Sequence, residues 1–261
     1  MPATFFPGGL DKFTPNLEYW ATVTADDVKQ LLADGADLNE RGKIQGFLPL
    51  HYAVKGLDQP GAAAAVIKAL IDGGADVNAG TDFTGSTPLH LATSNDKCSL
   101  EVLEALVACG ATDVTSCRNK FGDTPLHNAA MVGHADAVAV MRWLLDRGCD
   151  PNAINDDNET ALHNTAFGAR VIESDESPKL AQMLLDAGCD ASVVNKRGLT
   201  ALRKAEINKC WKVVAALRRR RGQGLVVRTA ALFQAKLRAR MRERKQQQII
   251  DGWNRQDQVV V

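Results

Sequence analysis

Apolar residues along this chain fall in two short blocks with helical spacing, and the pair of blocks recurs. Between Thr124 and Gly148, Leu126, Ala129 and Ala130 form a first block, and Val138, Met141, Leu144 and Leu145 a second. Steps of three and four residues place each set on one face of a helix. Thr124 is suited to cap the first helix, and Pro125 stands where the first helical N–H has no partner to lose. Gly133 is placed to break that helix. Gly148 follows the last apolar position, where a left-handed glycine ends a helix at low cost. The polar stretch "DPNAINDDNE" from Asp150 then reads as an extended turn leading to the next capped helix. The pattern predicts helix, turn, helix, loop, a unit too small to bury its own apolar face.

The unit is spelled several times. "FLPLH" ends at His51, "STPLH" at His90, "DTPLH" at His127, "ETALH" at His163 and "LTALR" at Arg203, so the phrase recurs after 39, 37, 36 and 40 residues. A second phrase runs out of step with it: "GADLN" from Gly35, "GADVN" from Gly74, "GATDV" from Gly110, "GCDPN" from Gly148 and "GCDAS" from Gly188. A period of this size means units that stack to bury a shared core.

In "DTPLHNAAMVGH" the sequence resembles the ankyrin-repeat family almost letter for letter. The resemblance implies an all-α solenoid of stacked helix-turn-helix units with projecting loops. Six units are expected, at about 13–40, 41–80, 81–118, 119–155, 156–195 and 196–221, between an N-terminal segment 1–12 and a tail 222–261. The first lacks the Thr-Pro phrase. An ankyrin unit has about 33 residues, fewer than the units here. From the motif histidine to the helix-ending glycine the gaps are 23, 20, 21 and 25 residues, whereas from that glycine to the next motif they stay between 15 and 17. The extra length is therefore expected between the paired helices or at the start of the second. "GLDQPGAAAA" and "GARVIESDESP" are the longest such inserts.

Composition adds two points. A hydrophobic content of 45% is that of a globular chain, and no apolar run approaches the eighteen or so residues of a membrane helix. "MPATFFPGGL" has neither a basic start nor an apolar core, so no secretory signal is expected. The six cysteines include no C-x-x-C pair. Cys149 and Cys189 fill the slot that holds Ala after Gly35 and Gly74, where a small buried residue is wanted. Metal and disulfide roles are not expected of them, and a reducing cytoplasmic or nuclear setting fits. The net charge of zero conceals a split. Residues 203–245 hold 15 Lys or Arg against 2 Asp or Glu, and the remainder 16 against 29. An acidic body with a basic arm suggests an interaction segment.

Candidate chemistry is sparse. His51, His90, His127 and His163 occupy one position of successive units. Stacked helices lie about 8–10 Å apart, whereas zinc needs nitrogen at about 2.0–2.1 Å, so neighbouring motif histidines cannot share a metal. The family resemblance implies that each bonds backbone between repeats, and that His134 is framework too. There is no Gly-x-Ser-x-Gly, no phosphate loop and no pair of carboxylates in a distinctive setting. The expectation is a non-catalytic protein with no cofactor, no metal and no small-molecule substrate.

What the resemblance offers instead is an adaptor or scaffold that holds a protein partner on its concave, finger-bearing face. The loop-tip pairs are Ile44 and Gln45, Phe83 and Thr84, Lys120 and Phe121, Asp156 and Asp157, and Lys196 and Arg197. Ile44, Phe83 and Phe121 would form an apolar strip followed by acidic and basic ends, and aromatics are favoured anchors. Ser94 and Asn95, Met131 and Val132, and Phe167 and Gly168 would form an adjoining wall on the inner helices.

In the tail, Val226, Ala230, Phe233, Leu237 and Met241 fall at steps of 4, 3, 4 and 4, one helical stripe behind Gly222 and Gly224. Arg238, Arg240, Arg242 and Arg244 make the other faces basic. Such a helix suits an acidic or calmodulin-like protein, an anionic membrane surface or nucleic acid. "FQAKLRA" resembles the first half of an IQ motif, but Glu243 stands where the second half wants a basic residue. The stripe would equally cap the chain's own acidic solenoid through Phe233 and Leu237. A second reading of function therefore stands beside the adaptor: a tail-driven electrostatic binder of nucleic acid, anionic membrane or a calmodulin-like protein.

Overall fold

The structure, a computed structural model, describes residues 20–42, 46–56, 60–95, 100–132, 136–171 and 175–219. Among the described residues the named helices in chain order are α1 (Ala25–Ala33), α2 (Pro49–Gly56), α3 (Pro60–Asp72), α4 (Pro88–Thr93), α5 (Leu100–Ala108), α6 (Pro125–Met131), α7 (Ala137–Asp146), α8 (Ala161–Val171), α9 (Glu176–Asp186) and α10 (Ala201–Ile207). A further helix, α11, covers 211–219. No strand forms among the described residues, and a single isolated bridge joins Val194 to Thr200.

The repeated phrases become repeated helix ends. Thr124 caps α6 in extended backbone, with φ −92° and ψ 165°, and Pro125 opens the helix. Thr87 does the same for α4. At the other end of the unit Gly148 turns left-handed, with φ +83°. The Gly148 N–H then donates to the Leu145 carbonyl and the Cys149 N–H to that of Leu144, at 3.0 and 3.2 Å. These two bonds satisfy carbonyls that the end of α7 would leave open. The same closure recurs after α1, α3, α5 and α9.

Helices α2, α4, α6, α8 and α10 stack on one another as one layer, and α1, α3, α5, α7 and α9 as a second; within units two to five the two helices pack together. Leu50, Leu89, Leu126 and Leu162, each just before a motif histidine, are fully buried between units. Burying a leucine stabilises by roughly 1.5–3 kcal/mol. Ala53, Ala92, Ala129, Thr165 and Ala205, two positions after the histidine or its equivalent, expose no surface. Their small size lets the inner helices approach closely. This is the all-α solenoid that the repeat pattern predicts. Contacts divide the chain into Met1–Ala216 and Leu217–Val261.

The extra residues do not all lie where the gaps suggest. In the second unit they go partly into the start of the second helix, as the gaps suggest: α3 begins at Pro60 and runs for 13 residues. In the fifth unit they lengthen the inner helix instead: α8 has 11 residues where α4 has 6 and α6 has 7. "ALHNTAFGARV" contains no proline, and one internal glycine costs a helix only about 1 kcal/mol, so the helix continues through Gly168.

Candidate functional site

The four motif histidines fix the frame from which the loops project. The Nδ1 of His127 accepts from the Thr124 N–H at 3.2 Å and lies 2.8 Å from the Thr124 hydroxyl. A nitrogen that accepts a backbone N–H carries no proton, so the ring proton is on Nε2, which donates to the Glu159 carbonyl of the next unit at 2.8 Å. His51, His90 and His163 repeat the arrangement, reaching the carbonyls of Ala79, Asp123 and Leu199. All four are buried. Burial lowers the affinity of each ring for a second proton, taking His51 down to about 4. In the sixth unit Arg203 takes this position. A guanidinium cannot accept a hydrogen bond, so the Thr200 hydroxyl caps the Arg203 N–H instead, and the side chain pairs with Glu206 at 3.0 Å.

Each loop between units folds back as a finger. Asn119 Oδ1 accepts the N–H groups of Phe121 and Asp123, and Asn155 and Asn195 do the same in the next two fingers. The turn needs one left-handed residue, supplied by Gly85, Gly122, Asn158 and Gly198. At Gly122, with φ +73°, a Cβ would also stand 2.7 Å from Asp156 Oδ1 and 3.0 Å from its backbone nitrogen. Neighbouring fingers are joined by backbone. Lys120 N–H donates to the Thr84 carbonyl, Asp156 N–H to Phe121 and Lys196 N–H to Asp157, each at 2.9 Å. Arg118 braces two fingers through the carbonyls of Gly122 and Ile154. Glu159 does the same at the finger base: it accepts from Asn195 at 2.8 Å and meets Lys204 at 2.6 Å in a largely buried ion pair. Burial pushes the Glu159 carboxyl up, but the hydrogen bonds from Lys204 and Asn195 outweigh it and hold it below its ordinary value.

This bracing leaves the tip side chains outward. Phe83 is 71% exposed and Phe121 47%, and their rings meet edge to face with centroids 6.4 Å apart. Charges on this side of the row are engaged: Arg41 pairs with Asp82 at 2.8 Å, and the Lys120 ammonium donates to the Asp82 carbonyl. Asp156, Asp157, Lys196 and Arg197 are exposed too, and among the described residues their side chains form neither ion pair nor hydrogen bond. Ile44 lies outside the described residues, as do Phe233, Leu237, Met241 and Arg238, Arg240, Arg242 and Arg244 of the tail.

On the inner helices Met131 and Phe167 are exposed at equivalent positions, each four residues after its histidine. Asn95 is not part of that wall. It is buried and donates to the Val54 carbonyl at 2.8 Å, holding one inner helix to the next.

Other chemistry is muted. Cys117, Cys149, Cys189 and Cys210 are buried free thiols, and burial pushes Cys149 up to about 11, so it stays protonated at neutral pH. Among the described residues no three His, Cys, Asp or Glu side chains converge as metal ligands, and no helix is long and apolar enough to cross a membrane.

The family description "Ankyrin repeats (3 copies)" matches residues 20–117 and 97–172, more than half of the chain. The chain belongs to the ankyrin-repeat family. A BTB/POZ domain and ankyrin repeat-containing protein, NBCL of Lupinus angustifolius, is 46% identical over 67 residues, which are 26% of this chain and 13% of that protein. A putative ankyrin repeat protein of Acanthamoeba polyphaga mimivirus is 35% identical over 75 residues, 29% of this chain and 46% of that one. The chain thus spans only a minor part of these relatives' length. Among solved structures, the ankyrin repeat protein EF0377 superimposes with a TM-score of 0.56 at 26% identity, covering 74% of this chain and 91% of its own. Ankyrin repeats generally mediate protein–protein interaction, and the family is typically non-catalytic.

The ankyrin frame also exposes what the motif search passed over. Four residues after Arg203 stands Ile207, 54% exposed, in register with Met131 and Phe167; Trp211 follows at 63%. Unit six lacks the histidine that marks the count. Stepping four residues from Arg203 would have found Ile207.

Proposed function

We propose that the protein is a non-catalytic adaptor that holds a protein partner on its finger row and the adjoining ends of its inner helices. The exposed edge-to-face pair of Phe83 and Phe121 carries this reading. Two aromatic rings on neighbouring braced fingers lose little side-chain freedom when covered, which is what a binding anchor requires. Met131, Phe167 and Ile207 add an apolar ridge on the last three inner helices. The basic tail is a second contact in this reading, supported by the charge split of the sequence alone.

The test compares full-length protein, a Phe83→Ala/Phe121→Ala variant and a form lacking 222–261 in affinity capture from cell extract, with melting curves for each. A partner retained by the first and lost by the second, at unchanged melting temperature, is the expected result. Equal capture by both would remove the finger row from the function. Capture that depends only on the tail and falls steeply with salt would favour the electrostatic reading.

A further inference from the structure

The tip row has an order that selects among partners, and this inference rests on the finger row being the binding face. From Phe83 towards Arg197 it reads as an aromatic pair, then two carboxylates and then two cations, these four without a partner among the described residues. The fingers are joined edge to edge by backbone bonds, and each is two chain widths across. With about 4.8 Å per width, successive tips stand roughly 10 Å apart. An extended chain advances about 3.3 Å per residue, so it passes one finger every three residues.

We infer that the row binds an extended protein segment carrying an apolar anchor, a Lys or Arg three residues from it, and an Asp or Glu three residues further. The anchor seats on Phe121 with Phe83 against its side, the cation meets Asp156 and Asp157 one finger on, and the carboxylate meets Lys196 and Arg197 on the finger after that. Charge complementarity commits the choice. The opposite order would set like charges against each other at both outer fingers. The pairs are solvent-exposed, so they discriminate between segments more than they hold them.

The test uses synthetic peptides and full-length protein. One peptide reads Trp-Gly-Ser-Lys-Gly-Ser-Glu, the other Trp-Gly-Ser-Glu-Gly-Ser-Lys, both with blocked termini. A sequence-reversed peptide is no control, because it would bind in the opposite direction and present the same order. Titrations followed by NMR should favour the first by roughly tenfold at low ionic strength, a preference that high salt erodes. In the variant Asp156→Lys/Asp157→Lys/Lys196→Glu/Arg197→Glu the preference should invert. Phe83→Ala/Phe121→Ala should weaken both peptides alike. Equal binding of the two peptides, lost on removing the rings, overturns the charge order and leaves the finger row standing. Binding of neither peptide at millimolar concentration, or binding indifferent to both sets of substitutions, overturns the inference outright.

Discussion

His127 and Asp156 belong to adjacent units and are held in opposite ways. The imidazole exposes no surface and uses both nitrogens, one on Thr124 and one on the Glu159 carbonyl. The carboxylate of Asp156 is exposed and has no partner among the described residues, although its backbone nitrogen is tied to Phe121. Between units, side chains are consumed in making the stack. At the last two fingertips the contact to the neighbour runs through backbone, and among the described residues the side chains of Asp156, Asp157, Lys196 and Arg197 are left over. A repeat can therefore change its tips freely while its junctions stay fixed, which is how one frame presents many surfaces.

The comparison breaks hardest under acid. Burial holds the four histidines below their ordinary value near 6.5, so above that pH they are neutral both folded and unfolded. Below it the unfolded chain binds protons that the folded one refuses. Stability should then fall as pH drops below 6.5, by up to about 1.4 kcal/mol per pH unit for each histidine until its own folded value is reached, which for His51 is about 4. Urea unfolding across that range measures the slope, and a flat profile would contradict the junction geometry. A charge forced into the same junction comes next. Leu126→Asp should cost about 3–5 kcal/mol, read from the denaturation midpoint. His127→Ala leaves the Thr124 N–H and the Glu159 carbonyl without partners, at about 2–3 kcal/mol; the acid slope of that variant should be shallower by one histidine's share. Gly122→Ala tests the finger backbone and should cost about 1–2 kcal/mol through its left-handed conformation. Asn158→Gly at the equivalent place relieves the left-handed backbone but gives up the amide's hydrogen bond to the Val194 carbonyl, so stability should change by no more than about 1 kcal/mol. The rings complete the series: Phe83→Ala and Phe121→Ala should each move stability by no more than about 0.5 kcal/mol.

Much of this contrast was legible beforehand, because the junction is written locally. Thr124, Pro125, Leu126 and His127 are contiguous, and Gly148 closes the unit by a rule that needs no neighbour. The fingertips were legible as positions, since they sit at a fixed offset before each motif. Their state was not. That Lys120 and Asp82 are engaged while Lys196 and Asp157 have no partner among the described residues depends on which loops lie side by side, and the Glu159–Lys204 pair spans 45 residues. Asn95 looked like a surface residue because its partner, the Val54 carbonyl, is 41 residues away. The length of α8 was misplaced for a different reason. Counting gaps between landmarks says how many residues intervene but not whether they coil or extend a helix. Ile207 and Trp211 escaped notice where the landmark itself had changed to Arg203.

That change has its own consequence. A solenoid whose end units recognise each other can add copies of itself head to tail, and unless the rotation closes a ring such contacts run on as a filament. His90, His127 and His163 each reach for a carbonyl of the following unit. Arg203 does not: its side chain folds onto Glu206 of its own helix, and its cap is an ordinary threonine hydroxyl. Within the described stack the invitation to add another unit stops there. Restoring a histidine at that place would recreate the invitation and bias the protein towards filaments.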